Sequence, residues 1–401
     1  MRLHRNLVLA VINALNQIYN EKEYADKVVQ KALKSDKRWG ARDRKFVAET
    51  IYDMVRWKRL YNEIAGTKDH YSNDNIWKNF AVWATLKGYP LPDWRHFDGV
   101  PTRRIKGKFD EVQKIRKIRE SIPDWIDETG EAELGDQWEI ELKELNKQAR
   151  VILRANTLKC SKKELKAALT AEEIETEYIS SYPDALALVE RKNVFLTDTF
   201  KKGFFEVQDA SSQLVAPFLD VKPGQKVIDT CAGAGGKALH LASLMENKGQ
   251  IIAMDIYSHK LAELKKRAKR DGVHNIDTRT IEGTKTIKKL KAKADRVLID
   301  APCSGLGVLK RNPDSKWKMD KDFLDRIRET QASLLTNYSS MVKPGGKMVY
   351  ATCSILPSEN ELQVKKFLDN NKDFEFVKEN KVSPAESKFD GFYMALLKRK
   401  S

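Results

Sequence analysis

The 401 residues are too many for one ordinary domain, so two or three are expected, and no run of about 18 apolar residues offers a membrane span. A hydrophobic share of 41% suffices for real cores, while 32% charged residues, and an amino terminus (Met1-Arg2-Leu3-His4-Arg5) unlike a signal peptide, predict a soluble cytoplasmic protein. Lys and Arg number 73 against 57 acidic residues, a net charge of +16, which predicts a polyanionic partner because each neutralised phosphate releases condensed counterions.

The first third reads as helical. Leu7, Val11, Leu15 and Ile18 recur at helical spacing, as do Phe46, Val47, Ile51, Met54 and Val55. Helical patches continue through residues 77–86 and 109–119 across the break Gly88-Tyr89-Pro90-Leu91-Pro92. Strand-like alternation is absent before about residue 150, so residues 1–130 are expected to form an all-helical domain. Residues 101–120 hold eight Lys or Arg against three acids, a candidate phosphate-tracking face or simply a solvated helix surface. The acidic stretch 127–144 predicts a connecting helix.

Residues 131–205 are expected to hold that linker and a small α+β unit. Val151-Ile152-Leu153 reads as a strand, and Ser161 caps a helix bearing Leu165 and Leu169, with Glu164 completing a capping box. Further short strands are expected around residues 177–179, 186–188 and 194–196. Such a unit in a nucleic-acid enzyme is a candidate RNA platform.

From residue 206 onward short apolar runs alternate with helical segments. Val227-Ile228 precede Asp229, Ile251 to Met254 precede Asp255, Val297 to Ile299 precede Asp300, and Met348 to Tyr350 lead into Ala351-Thr352-Cys353. Buried parallel strands alternating with helices predict a doubly wound α/β sheet, whose ligands bind outside the carboxyl ends of the strands.

After the first of these strands comes Cys231-Ala232-Gly233-Ala234-Gly235-Gly236-Lys237. Glycines let the backbone turn sharply toward a ligand at a positive helix amino terminus. Ala238 after Lys237 rules out a phosphate-binding P-loop. Asp255, ending the next strand, is placed to accept both ribose hydroxyl protons, so the pair points to an adenosine-containing cofactor. A structural turn with a helix cap would explain either feature alone.

Four cysteines (Cys160, Cys231, Cys303, Cys353) form neither a CxxC pair nor a cluster of zinc spacing, so no disulfide framework and no metal is expected. Two of them stand in polar motifs just past strand ends. Asp300-Ala301-Pro302-Cys303-Ser304-Gly305 is followed by Arg311-Asn312-Pro313-Asp314 and Trp317, and Ala351-Thr352-Cys353-Ser354 comes fifty residues after Cys303. If their strands are neighbours, about 4.8 Å apart, the two thiols face one pocket.

These segments resemble the Sun/Nop/Fmu family of RNA (cytosine-5) methyltransferases, most closely its bacterial small-subunit ribosomal RNA branch. Val207-Gln208-Asp209 with Ser211-Ser212-Gln213, the loop 231–237, residues 300–305, Tyr350 to Ser354 and Asp390-Gly391-Phe392-Tyr393 match its successive motifs. Ser121 to Trp125 and Arg154-Ala155-Asn156 match weaker upstream features. The resemblance implies an α/β fold: a class I S-adenosylmethionine-dependent methyltransferase (Rossmann-like) domain over 206–401, preceded by an all-α NusB-like RNA-binding domain and the small α+β domain. It implies S-adenosylmethionine as cofactor, Cys353 as nucleophile toward carbon 6 of cytosine, and Cys303 as its assistant in elimination and product release.

Lys237 is the candidate cation that eases thiolate formation, and Asp300 the candidate holder of the cytosine amine or the cofactor's amino group. The cofactor residues are then Cys231, Ala232, Gly233, Ala234, Gly235, Gly236, Lys237, Asp255, Glu282 and Asp300. Three departures stand out: Ala234 replaces the family's proline, Ala238 its threonine, and Glu282 its aspartate near the adenine amine. The expected substrate is single-stranded or flipped-out RNA, ribosomal before transfer RNA, bound by a monomer without metal or membrane. The rival readings are a DNA or small-molecule methyltransferase and a non-catalytic assembly factor that keeps the cofactor fold.

Overall fold

The structure, a computed structural model, describes residues 2–67 and 71–401, so Met1 of the amino-terminal reading lies outside the described residues. The chain forms two compact units. The first comprises Met1–Lys147 together with Leu309–Lys321, and the second Gln148–Val308 with Asp322–Ser401.

The first unit is all helical among its described residues. Its longer helices are Arg5–Tyr19, Ala25–Ser35, Ala41–Arg56, Lys58–Ala65, Asn73–Leu86, Thr102–Val112, Asp124–Leu134 and Gln137–Leu145. Leu7, Val11 and Leu15 from the first and Val47, Ile51 and Val55 from the third are buried together, as their spacing predicts. Each such burial stabilises by about 1.5–3 kcal/mol. The acidic stretch read as one connecting helix is two, because Gly135 turns the chain at φ 54° between them. Trp138 packs flat on Gly130, where a Cβ would fall 2.3 Å from its ring, and its Nε1 donates to Asp127 at 2.8 Å.

The patch read over 109–119 is likewise broken, between helix Thr102–Val112 and the single turn Arg116–Arg119. The basic residues of the stretch 101–120 divide accordingly. Arg103, Arg104 and Lys106 point outward, whereas Arg116 pairs with Asp127 and Glu131, and Arg119 with Glu120 and Glu139. Segment 309–321 belongs to this unit through a set of internal bonds. Arg56 donates to the carbonyls of Leu309 and Lys310, Lys310 pairs with Glu144 at 2.7 Å, and Trp317 donates to the Val55 carbonyl. The Arg311-to-Asp314 motif and Trp317 are therefore a strap on the helices.

The second unit opens with a small antiparallel sheet of β1 (Ile152–Ala155), β2 (Thr176–Tyr178), β3 (Ala185–Leu188) and β4 (Phe205–Val207) in the order β2-β3-β1-β4. Helix Lys162–Ala171 packs on it, with the Ser161/Glu164 capping box formed as the spacing predicts. The strand expected at 194–196 is instead a 3-10 turn, Val194–Leu196. Asn193 accepts from the Phe195 N–H, and Phe195 and Leu196 point to solvent at 55% and 71% exposure, so there is no half-buried face for a strand to serve.

The large sheet holds β5 (Lys226–Asp229), β6 (Gln250–Asp255), β7 (Ile276–Thr280), β8 (Ala294–Asp300), β9 (Val342–Thr352), β10 (Phe374–Val382) and β11 (Phe392–Arg399). Their order is β10-β11-β9-β8-β5-β6-β7, parallel from β9 through β7 and antiparallel at β9/β11 and β10/β11. Val227, Ile251, Leu298 and Val349 face one apolar cluster and Ile228, Ile252, Val297 and Met348 the other, so the central strands are buried on both faces. This is the Rossmann-like α/β fold expected from the sequence.

Candidate active site

The connection order reverses between β5 and β8, and ligands of such sheets bind at that switch point, beyond the carboxyl ends. Four strand ends deliver polar residues there: Asp229 on β5, Asp255 on β6, Asp300 on β8 and Thr352 on β9, with Cys353 just beyond it.

The turn after β5 is shaped by its glycines. Gly235 sits at φ +93°, and a Cβ on it would fall 2.5 Å from Leu264 Cγ, so only glycine lets helix Gly236–Leu244 start there. Asp255 ties the turn to β6, accepting from Gly233 N–H and from Tyr257 N–H, each at 2.8 Å. Two arginines hold it from behind. Arg267 donates to the Ala234 carbonyl at 2.8 Å while pairing with Glu206, and buried Arg154 donates to the Gly236 carbonyl at 3.2 Å. Arg267 thus fixes the position where the family has a stiffening proline. Glu282 is exposed, one residue after Ile281, whose N–H donates to the Asp255 carbonyl.

Lys237 bonds Asp300 at 2.7 Å. Burial works against its charge, but Asp300, with smaller help from the Cys353 sulfur and Asp229, holds its pKa above the usual lysine value. Asp229 is 1% exposed, with both carboxylate oxygens lacking a partner of hydrogen-bonding geometry among the described residues. Burial, then the charge of Asp300, pushes its pKa up to about 7 despite Lys237. Three carboxylates around one lysine make a site that favours a cationic ligand.

The two cysteines meet. β8 and β9 are adjacent parallel strands, and Cys303 Sγ lies 3.2 Å from Cys353 Sγ. The contact with the Cys353 sulfur, with burial second, raises the Cys303 pKa far above the usual thiol range, so Cys303 keeps its proton at neutral pH. Gly307 N–H donates to the Cys353 carbonyl at 3.0 Å and Gly391 N–H to the Gly307 carbonyl at 2.8 Å, stitching three loops together. A Cβ on Gly307 would fall 2.4 Å from the Gly391 oxygen. Cys231 is different: its thiol lies against the core, where burial raises its pKa, and it contributes to the turn through its backbone.

The family model for 16S rRNA methyltransferase RsmB/F matches residues 216–398, and the one for the RsmF/B-like ferredoxin-like domain matches residues 122–195. A probable ribosomal RNA small subunit methyltransferase B of Synechocystis is 34% identical over 450 aligned positions, covering 98% of this chain and 99% of that one. The chain belongs to the ribosomal RNA small subunit methyltransferase B family. A Bacillus subtilis member, also named probable, is 32% identical over 76% of this chain and 71% of its own. Among solved structures, PH0851 matches with TM-score 0.85 at 25% identity over 100% of both chains. A methyltransferase homolog protein from Pyrococcus horikoshii matches with TM-score 0.64 at 27% identity, over 71% of this chain and 97% of that one.

The chain is accordingly an S-adenosylmethionine-dependent RNA methyltransferase. Its site fits the cofactor on its own evidence: a glycine cradle that a Cβ would fill, a helix amino terminus, and the buried Asp229 carboxylate, with neither oxygen in a hydrogen bond of standard geometry among the described residues, beside Asp300 and Asp255, complementary to a positively charged sulfur. Among the described residues no group of three or more His, Cys, Asp or Glu is arranged to hold a metal ion, and no helix is long and apolar enough to cross a membrane.

Asp229, Arg154, Arg267 and Glu359, a buried carboxylate that accepts from Ser304 and Ser354 beside the two cysteines, were not singled out by sequence as site residues. Asp229 carried a signal, since it ends a buried strand as Asp255 and Asp300 do. Arg154 lay in a recognised motif without a role, and Glu359 and Arg267 had no local mark at all.

Proposed function

We propose that this methyltransferase modifies carbon 5 of a cytosine in small-subunit ribosomal RNA through a covalent adduct with Cys353. The observation that carries the reading is the 3.2 Å contact between the Cys303 and Cys353 sulfurs at the tips of adjacent strands. The names of the related enzymes support the ribosomal target.

Carbon 5 of cytosine is too poor a nucleophile to accept a methyl group unaided. A bond from the Cys353 sulfur to carbon 6 moves the C5–C6 electron pair toward carbon 5, dividing one hard step into easier ones. When bound, S-adenosylmethionine supplies a methyl carbon made electrophilic by a positive sulfur. Residues 231–237, Asp255 and Glu282 are the proposed holders of the cofactor. Lys237 supplies positive charge that stabilises the Cys353 thiolate, and Asp300, oriented by Lys237, holds the exocyclic amine as charge shifts in the ring. Once solvent water takes the carbon 5 proton, the freed pair re-forms the C5–C6 double bond and the Cys353–C6 bond breaks with its pair leaving on sulfur. Cys303, still protonated and touching the departing sulfur, assists that elimination.

Because carbon 6 is out of reach in a stacked helix, the target cytosine is single-stranded or flipped out. Bisulfite sequencing of ribosomal and transfer RNA from cells with and without the gene tests the reading. The expected result is one small-subunit ribosomal cytosine that loses protection. Lost protection only in transfer RNA would move the target, and no change anywhere would reject carbon 5 chemistry.

A further inference from the structure

One buried carboxylate grips both cysteine loops. Glu359 is 0% exposed, in the turn between β9 and helix Glu361–Asn370. Its Oε1 accepts from Ser304 N–H at 2.8 Å and from Gln331 Nε2 at 3.1 Å. Its Oε2 accepts from the hydroxyls of Ser304 at 2.6 Å and Ser354 at 2.5 Å. Gln331 Nε2 also donates to the Pro302 carbonyl at 3.0 Å, so Cys303 is fixed through both of its chain neighbours. Asn360 does the same for Cys353, accepting from Thr352 Oγ1 at 2.5 Å and donating to the Ser354 carbonyl at 3.0 Å.

A carboxylate without solvent is costly unless its lone pairs are used, and well-packed apolar side chains commonly stabilise such a position equally well. What an ion adds is direction, because hydrogen bonds to a charged acceptor are short and specific. Here three of the four donors come from the two serines that follow the two cysteines.

We propose that Glu359 is a positioning residue: by tying Ser304 and Ser354 to one carboxylate it sets the separation and aim of the two sulfurs, so that Cys303 is in place for the elimination that frees Cys353. This rests on the two-cysteine reading above. A glutamine at this position keeps the size but offers one oxygen for four donors, turning an NH2 group toward two hydroxyls. The sulfur pair then loses its fixed register while the cofactor turn, which Glu359 does not touch, is unaffected.

The test compares E359Q with wild type and with Cys303→Ser, using pooled transcripts of small-subunit ribosomal and transfer RNA with S-adenosylmethionine. Methyl transfer, covalent RNA adduct on a denaturing gel, cofactor affinity and melting temperature are read together. Turnover of E359Q should fall about tenfold or more, the equivalent of one lost charge-assisted hydrogen bond. Its trapped adduct should rise toward the level of Cys303→Ser, with cofactor affinity unchanged. Should E359Q not fold, Ser304→Ala and Ser354→Ala each remove one arm and should give the same signature in smaller measure. The proposal is overturned if Cys303→Ser accumulates adduct while the clamp variants lose turnover without it, or only in step with their folded fraction. If neither Cys303→Ser nor E359Q traps RNA, the two-cysteine reading itself fails and takes the proposal with it.

Discussion

The sulfurs of Cys303 and Cys353 lie 3.2 Å apart, and that contact, with burial second, raises the Cys303 pKa well above the usual thiol range. Burial also pushes the Cys160 thiol up to about 11 and raises that of Cys231. Since thiolate is the reactive form, Cys353 should be alkylated first by iodoacetamide at pH 8, about tenfold or more ahead of the other three. Peptide mass spectrometry over a time course checks this, and initial labelling at Cys303 would reverse the proposed roles.

Lys237 sits among the strand-tip carboxylates, bonded to Asp300 at 2.7 Å. Lys237→Met should lower methyl transfer by about two to three orders of magnitude, the usual cost of removing a preorganised electrostatic group, with RNA affinity unchanged. Tritium transfer from labelled cofactor, measured beside filter binding of RNA, separates the two effects. A near-normal rate would make the lysine purely structural.

The raised pKa of Asp229 fixes a pH dependence. Its folded value of about 7 lies above the ordinary 3.8, so near pH 5 the folded protein holds a proton that the unfolded chain has lost. Stability from this group is therefore full below about pH 4 and is lost as pH rises through 7, by about 4 kcal/mol in all. Asp271, also raised to about 7, acts in the same sense, and His240, pushed down to about 4 by burial, in the opposite one. The difference in melting temperature between wild type and Asp229→Asn isolates the term. Without cofactor it should grow in favour of wild type from pH 8 to pH 4, and a flat difference would contradict the assignment.

Arg103, Arg104 and Lys106 are exposed and without an ion pair among the described residues, whereas Arg116 and Arg119 are engaged in pairs. Replacing the exposed three with Gln should reduce the slope of log affinity for RNA against log salt by about 2, at roughly 0.7 per single-strand phosphate contact. Arg116→Gln should instead lower melting temperature, by removing the pairs that Arg116 makes with Asp127 and Glu131, and leave the slope alone. An unchanged slope for the triple variant would mark this face as solvated surface.

Much of the site was legible because buried parallel strands announce themselves as apolar runs, and the polar residues ending those runs gather along one edge of the sheet. That logic brought Asp255, Asp300, Cys303 and Cys353 together from sequence alone. It could not find β7 or β10, which lie at the sheet's two edges and alternate or stay polar instead of running apolar. The apolar triplet 194–196 looked like a strand, but strand formation needs a neighbour to pair with, and the Asn193 cap offered the backbone another partner. Glu359 was illegible for a related reason: its partners lie 55 and 28 residues upstream, at Ser304 and Gln331, and only the fold makes them neighbours.

The covalent role of Cys353 is tested most directly by the site of RNA attachment. Cys303→Ser enzyme, incubated with RNA and S-adenosylmethionine and then digested with nuclease and protease, should carry a modified cytidine on the peptide containing Cys353, and Cys353→Ser should carry none. Attachment to Cys303 in the Cys353→Ser enzyme, with methyl transfer intact, would contradict the account.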